Sequence, residues 1–211
     1  MGFDMVQVSL ASANLCTMEG KTILLVDNRD SFTWNLAHDL ERAGAKVVVR
    51  QAAECRPEDA DGMAGIVLSP GPGLPMESEG LMPLVAAWAP RKPMLGVCLG
   101  LQALVEWSGG RLRQLDAVRH GVSSEARRLV VDPMLADTGE RFAVGHYHSW
   151  CADRPTLPEA WTVTAEVASD PSIVLALRHG SLPLHAVQFH PESVLTPDGR
   201  GMLAAWLATL S

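Results

Sequence analysis

Nowhere in the 211-residue chain do apolar residues run on for the roughly 18 positions that a membrane-crossing helix needs. No spanning helix and no membrane partner are therefore expected. Basic residues are also short: 17 Lys and Arg stand against 24 Asp and Glu, a formal net charge of -7. A general nucleic-acid binder needs a basic surface to neutralise phosphates, so that class is set aside. The four cysteines, Cys16, Cys55, Cys98 and Cys151, form no C-x-x-C pair. That excludes the spacing of a zinc site and of a small disulfide framework. No metal is expected, and a reducing cytoplasmic location is. Neither G-x-G-x-x-G nor G-x-x-x-x-G-K-S/T occurs, so the familiar phosphate-cradling loops are missing too.

What is there reads as one domain. Apolar residues make up 47% and charged residues 19%, and a chain of this length can bury roughly 70% of its unfolded surface. Residues 1–20 stand apart. Ala11-Ser12-Ala13 imitates a leader cleavage site, but no Lys or Arg precedes it, Asp4 intrudes and Gln7 breaks the apolar run. The segment is read as an N-terminal extension, disordered in part, ahead of a domain over 21–211.

From Lys21 strand and helix alternate. "TILLVD" has the continuous apolar character of a strand covered on both faces. A helix through "FTWNLAHDLERAG" is capped by Asp30 or Ser31, stopped by Gly44, and carries Phe32, Leu36, Leu40 and Ala43 on one stripe. "KVVVR", "GIVLS" and "PMLGV" are further strands. "SEGLMPLVAAW" (weakened by Pro83), "LGLQALVEWSGG" and Gly199 to Leu210 are helices. Short β stretches are expected at Leu129–Val131, Thr162–Val167, Ile173–Leu177 and Leu184–Phe189. The pattern predicts an α/β fold: a central, mostly parallel sheet flanked by helices, with extra antiparallel strands.

"G-V-C-L-G", from Gly96 to Gly100, puts a cysteine between strand and helix in the pattern of a nucleophile elbow. Small neighbours permit a strained turn, and a following helix N-terminus favours a thiolate. The alternative is a buried thiol at a strand end. "QFHPES" offers His190 as a base, with Glu192 placed to hold its second ring nitrogen. "SPGPGLP" follows the strand "GIVL", so its glycine amides can approach a ligand and, with the Leu99 amide, stabilise an oxyanion. A rigid surface turn explains that loop equally well. His146 and His148 suggest a metal pair, but no further ligand is indicated. Cys16, Cys55 and Cys151 read as inert thiols, and Trp34, Trp88, Trp107 and Trp206 as packing residues.

Taken in order, "SPGPG", "GVCLGLQ", "HYHSW" and "QFHPES" resemble the triad glutamine amidotransferases of class I. "LLVDNRDSFTWNL" is similar to the start of the glutaminase subunits of anthranilate synthase and aminodeoxychorismate synthase. The resemblance covers Lys21 to Leu210. It implies Cys98, His190 and Glu192 as the triad and the amides of Gly71 and Leu99 as the oxyanion hole. It also implies a glutamine pocket of Gly71, Pro72, Gly73, Gln102, Ser149 and Trp150. Contacts at Ser149 and Trp150 run through backbone, so Trp150 in place of the family's usual leucine is tolerated.

The resemblance further implies a chorismate-converting synthase as partner, in a heterodimer or heterotetramer. This glutaminase then has no cofactor, and Mg2+ belongs to the partner. Asn28 and Ser31 of "DNRDSF", with Arg119, His120, Gly121 and Ser124 of "RHGVSSEARR", are the implied partner contacts; Val122 stands where the family has lysine. Leu101 replaces the histidine of many relatives, and the change should alter packing or substrate contact without removing the base. Anthranilate synthase, leading to tryptophan, is the first expectation. Aminodeoxychorismate synthase, leading to folate, or a glutaminase shared by both, is the second. The rivals are a cysteine hydrolase of γ-glutamyl substrates and a non-catalytic docking protein.

Overall fold

A computed structural model describes residues 20–211; the expected extension lies, but for Gly20, outside them. Thirteen named elements follow in chain order. They are β1 (Thr22–Asp27), α1 (Thr33–Arg42), β2 (Lys46–Gln51), β3 (Gly65–Leu68), α2 (Leu81–Trp88), β4 (Met94–Val97) and α3 (Leu99–Trp107). Then come β5 (Leu112–Arg128), β6 (Arg141–Ala152), β7 (Trp161–Val167), β8 (Asp170–His179), β9 (Leu184–Val187) and α4 (Gly199–Thr209). The strands form one sheet in the order β2-β1-β3-β4-β9-β8-β7-β5-β6. The run from β2 to β9 is parallel; the rest is antiparallel.

Alternation along β1 shows why its sequence is apolar throughout. Ile23 and Leu25 pack with Leu36 and Leu40 of α1 and Leu203 and Trp206 of α4. Leu24 and Val26 turn the other way, to Leu81 and Trp88 of α2 and Leu101 and Leu104 of α3. A parallel strand roofed by helices on both faces has no water side to spend polar residues on. Leu101, wholly buried in the second cluster, is thus a packing residue.

Several expectations are corrected. Helix α1 begins at Thr33, with Phe32 at its N-cap. The Asp30 side chain caps no helix amide but accepts from Phe32 N at 2.8 Å, while Thr33 Oγ1 donates to Asp27 Oδ1 at 2.8 Å. Pro83 is harmless to α2 because it sits in the first turn, where an N–H has no helical partner. Leu129–Val131 is an exposed turn leading to Asp132, not a strand. The strands there are β5 and β6, which the sequence pattern leaves unassigned. Polar and two-sided, β5 lacks the apolar signature, and its pairing with β6 makes it a strand. Trp88 and Trp206 are fully buried, but Trp34 is 60% exposed and does not pack.

At the β4–α3 turn the backbone is as close as glycine permits. A Cβ on Gly100 would lie 2.5 Å from the Leu68 carbonyl oxygen, and one on Gly96 would lie 2.5 Å from Gly100 backbone. Neither neighbour is a flexible side-chain end. Gly100→Ala is therefore expected to lose about 1–3 kcal/mol by overpacking. Calorimetry checks it; an unchanged thermal midpoint would contradict the crowding.

Candidate active site

Parallel strands send their carboxyl ends to one edge, where open α/β sheets hold ligands. Four segments meet there: "DNRDSF" after β1, "SPGPG" after β3, Cys98 after β4 and "QFHPES" after β9. Cys98 has φ 53° and ψ -100°, a conformation that strains a non-glycine residue by roughly 1–3 kcal/mol. Its N–H donates to Val187 O at 2.8 Å, tying the elbow to β9 three residues before His190. Leu99 opens α3, so the thiol faces the positive end of that helix.

His190 Nδ1 meets Glu192 Oε1 at 2.7 Å, both side chains buried. The histidine's backbone is held as firmly. Its N–H donates to Gly145 O at 3.1 Å, and Thr196 Oγ1 donates to its carbonyl at 2.7 Å. Phe32 and Tyr147 stand edge-on to the imidazole, with centroids 5.4 and 4.8 Å away. Its Nε2 is buried and, among the described residues, only the Cys98 sulfur pulls on it. Burial works against a charge on this ring, but the pull of the Cys98 sulfur and of the Glu192 hydrogen bond prevails. Together they push the pKa up to about 10.

Beside Cys98 a cavity of about 120 Å3 is lined by Gly71, Pro72, Gly73, Gln102, Ser149 and Trp150. All six residues expected in a glutamine pocket are thus brought together. Larger depressions of about 490 and 620 Å3 lie around Asp39 and Arg42, and neither includes Cys98. Tyr147 and His148 also line the smaller cavity, and sequence reading missed them. Reading "HYHSW" as a paired strand would have found them. Gly71 is packed between the two flanking segments: a Cβ there would lie 2.5 Å from Leu99 Cδ2 and 2.7 Å from Asn28 Cβ.

The expected partner contacts divide. Ser31, His120 and Gly121 are exposed, and Arg119 and Ser124 partly so. Val122, the departure from lysine, is 43% exposed. His120 rests against Tyr147, centroids 5.4 Å apart. Asn28 is not a surface group. It is 4% exposed, donates from Nδ2 to Ser69 O at 3.0 Å and accepts from Ser78 Oγ at 2.9 Å. It pins the "SPGPG" loop because its short amide offers a donor and an acceptor at once.

The two other described thiols are held protonated. Burial raises the thiols of Cys55, to about 11, and Cys151; Cys16 lies outside the described residues. His146 and His148 bond to each other at 3.0 Å. Among the described residues no three side chains are grouped to hold a metal. Burial pushes both rings down, to about 3 for His146 and about 4 for His148.

The glutamine amidotransferase class-I family model matches residues 24–210. The anthranilate synthase of Azospirillum brasilense is 44% identical over 187 residues, 88% of this chain but 25% of that protein. The chain therefore spans a quarter of that relative. Anthranilate synthase component 2 of the same organism is 39% identical, over 89% of this chain and 95% of its own length. Aminodeoxychorismate synthase component 2 of Klebsiella aerogenes is 38% identical, over 88% and 98%. The crystal structure of a Thermoplasma acidophilum protein, provisionally named as one component of a GMP synthase, superposes with a TM-score of 0.80. It covers 89% of this chain and 92% of its own, and at 23% identity it speaks for the fold. No helix among the described residues is long and apolar enough to cross a membrane.

The neutral histidine pair sets a pH dependence. Because both folded pKa values lie below the unfolded value of about 6.5, their stabilising contribution is complete above that pH. It is lost as pH falls towards about 4 and 3. His190 shifts the other way, so its contribution is complete below about 6.5 and is lost as pH rises through about 10. Urea midpoints should fall from neutral pH to pH about 4, and less steeply in His148→Gln; equal slopes would contradict the assignment.

Proposed function

The chain belongs to the glutamine amidotransferase class-I family, and from that premise we propose that it is the glutaminase subunit of a chorismate-amidating synthase. The observation that carries this reading is Cys98 held at positive φ beside a small pocket, with the buried His190–Glu192 pair behind it. Anthranilate synthase is the first reading, supported by the 44% and 39% identities. Aminodeoxychorismate synthase follows on the 38% identity.

In this reading Cys98 and His190 share one proton, which lies on the imidazole as the sulfur adds to the γ-carboxamide carbon of glutamine. The Gly71 and Leu99 amides hold the developing oxyanion. Collapse of the adduct breaks the C–N bond; the proton on His190 goes to the leaving nitrogen and ammonia departs. Water, deprotonated by His190, then cleaves the γ-glutamyl thioester and restores the thiol with glutamate released. Glu192 holds the imidazole in orientation and stabilises its charge, as an acid does in such triads. Because ammonia loses its nucleophilicity when protonated in water, the synthase docks over Ser31, Arg119, His120, Gly121 and Ser124 and receives it directly. The glutaminase needs no cofactor of its own, Mg2+ belongs to the synthase, and the complex works in the cytoplasm.

Cys98→Ala is expected to abolish glutamine-dependent synthesis in the complex while leaving ammonia-dependent synthesis by the partner intact. Retention of the glutamine-dependent rate would overturn the nucleophile. Glutaminase turnover of the isolated chain should be low and rise on adding the synthase. A γ-glutamyl hydrolase would instead turn over folyl-γ-glutamates steadily alone.

A further inference from the structure

The side chains of His146 and His148 lie on one face of β6, between the partner-facing strand β5 and the pocket. The chemistry of their neighbours assigns every proton among them. His148 Nδ1 lies 2.8 Å from the Trp150 carbonyl, which can only accept, so Nδ1 carries hydrogen and Nε2 is a lone pair. His146 Nδ1, 3.0 Å from that lone pair, therefore donates. Its own Nε2 is left to accept, and Ser124 Oγ, 2.6 Å away, donates to it.

The chain continues beyond the carbonyl. Gln102 Nε2 also donates to Trp150 O, at 3.0 Å, and its second hydrogen is directed at Gln188 Oε1, 3.4 Å away. Gln188 Nε2 then donates to Cys98 Sγ at 3.6 Å, a normal length to sulfur. His146, His148, Gln102 and Gln188 are all at most 5% exposed, so the bonds between the two histidines, between the two glutamines and to the Cys98 sulfur are buried. Arg119 from β5 and His190 from the loop after β9 are the cations that act on both rings, and each opposes charging them. The relay is neutral, and its two halves converge on the Trp150 carbonyl, which accepts from His148 on one side and from Gln102 on the other.

We propose that Ser124, His146 and His148 are positioning residues for the nucleophile. They fix the Trp150 carbonyl and, through Gln102 and Gln188, aim an amide hydrogen at the Cys98 sulfur, so that a synthase seated on β5 sets thiolate reactivity through them. The synthase clause rests on the function proposed above; the relay itself does not. Without the Ser124 hydroxyl, His146 Nε2 loses its donor and the ring is free to move its proton there. Two ring lone pairs then face each other between His146 and His148, and the Trp150 carbonyl to which Gln102 also donates is no longer held in place.

The test follows carboxamidomethylation of Cys98 by iodoacetamide against pH in the isolated full chain, read by peptide mass analysis. Removing one hydrogen bond from the relay in Ser124→Ala should slow Cys98 alkylation at neutral pH about fivefold and move its profile upward. The glutaminase kcat should fall with it by more than KM changes. Ser124→Thr, which keeps the hydroxyl, should restore the rate. Parent-like alkylation in both Ser124→Ala and His148→Gln would overturn the relay, whatever the synthase does. With saturating synthase, acceleration in the parent but less in Ser124→Ala supports the coupling, and equal acceleration overturns it. If the synthase leaves the parent unaffected while isolated Ser124→Ala is slowed, the relay stands and the partner assignment fails.

Discussion

The close crossing of β3, β4 and α3 at Cys98 is the constraint on which the site depends. Gly96 and Gly100 leave no room for a Cβ, so the helix begins one residue after the strand ends and the cysteine is forced to φ 53°. That strained residue is also hydrogen-bonded to Val187. One backbone contact therefore sets the position of the thiol, the entry of α3 and the distance to everything that follows β9. His190 and Gln188 arrive beside the sulfur because β9 is the neighbour of β4, not because they are near it in the chain.

Three buried histidines within one site are tuned in opposite directions. Burial disfavours charge on all of them, so partners decide the outcome. His190 has Glu192 and the Cys98 sulfur against it and is raised. Around His146 and His148 only the Trp150 carbonyl favours a positive ring, and it does not offset burial, so both are lowered. A protonatable base and a fixed neutral relay thus sit side by side. The Cys98 sulfur and the glutamate two residues from His190 make the difference.

The antiparallel extension is what completes the pocket. Strands β5 and β6 pair along much of their length, and β6 carries Tyr147 to Trp150 back to the cysteine. Asn28 plays the matching role on the other side by tethering the "SPGPG" loop from within. Its burial explains how a residue in a loop at the sheet edge can brace the pocket from within. Because β5 both pairs with the edge strand β6 and supplies Ser124, surface and pocket share one strand pair.

The parallel half of the fold was legible residue by residue, because strands roofed on both faces are continuous apolar runs and glycines mark their turns. Cys98, His190 and Glu192 were legible for a related reason: an elbow needs small flanking residues, and a base with its acid two positions on needs only local spacing. β5, β6 and the exposed Trp34 were not legible. A polar two-sided strand has no periodic signal of its own, and whether a helix tryptophan meets a neighbour depends on where that neighbour lies. The hydrogen bonds from Ser124 to Cys98 join residues 22, 48 and 86 positions apart in the chain. Sequence alone determined which residues have the chemistry; only the tertiary structure decided which of them share protons, because that is set by sheet order and burial.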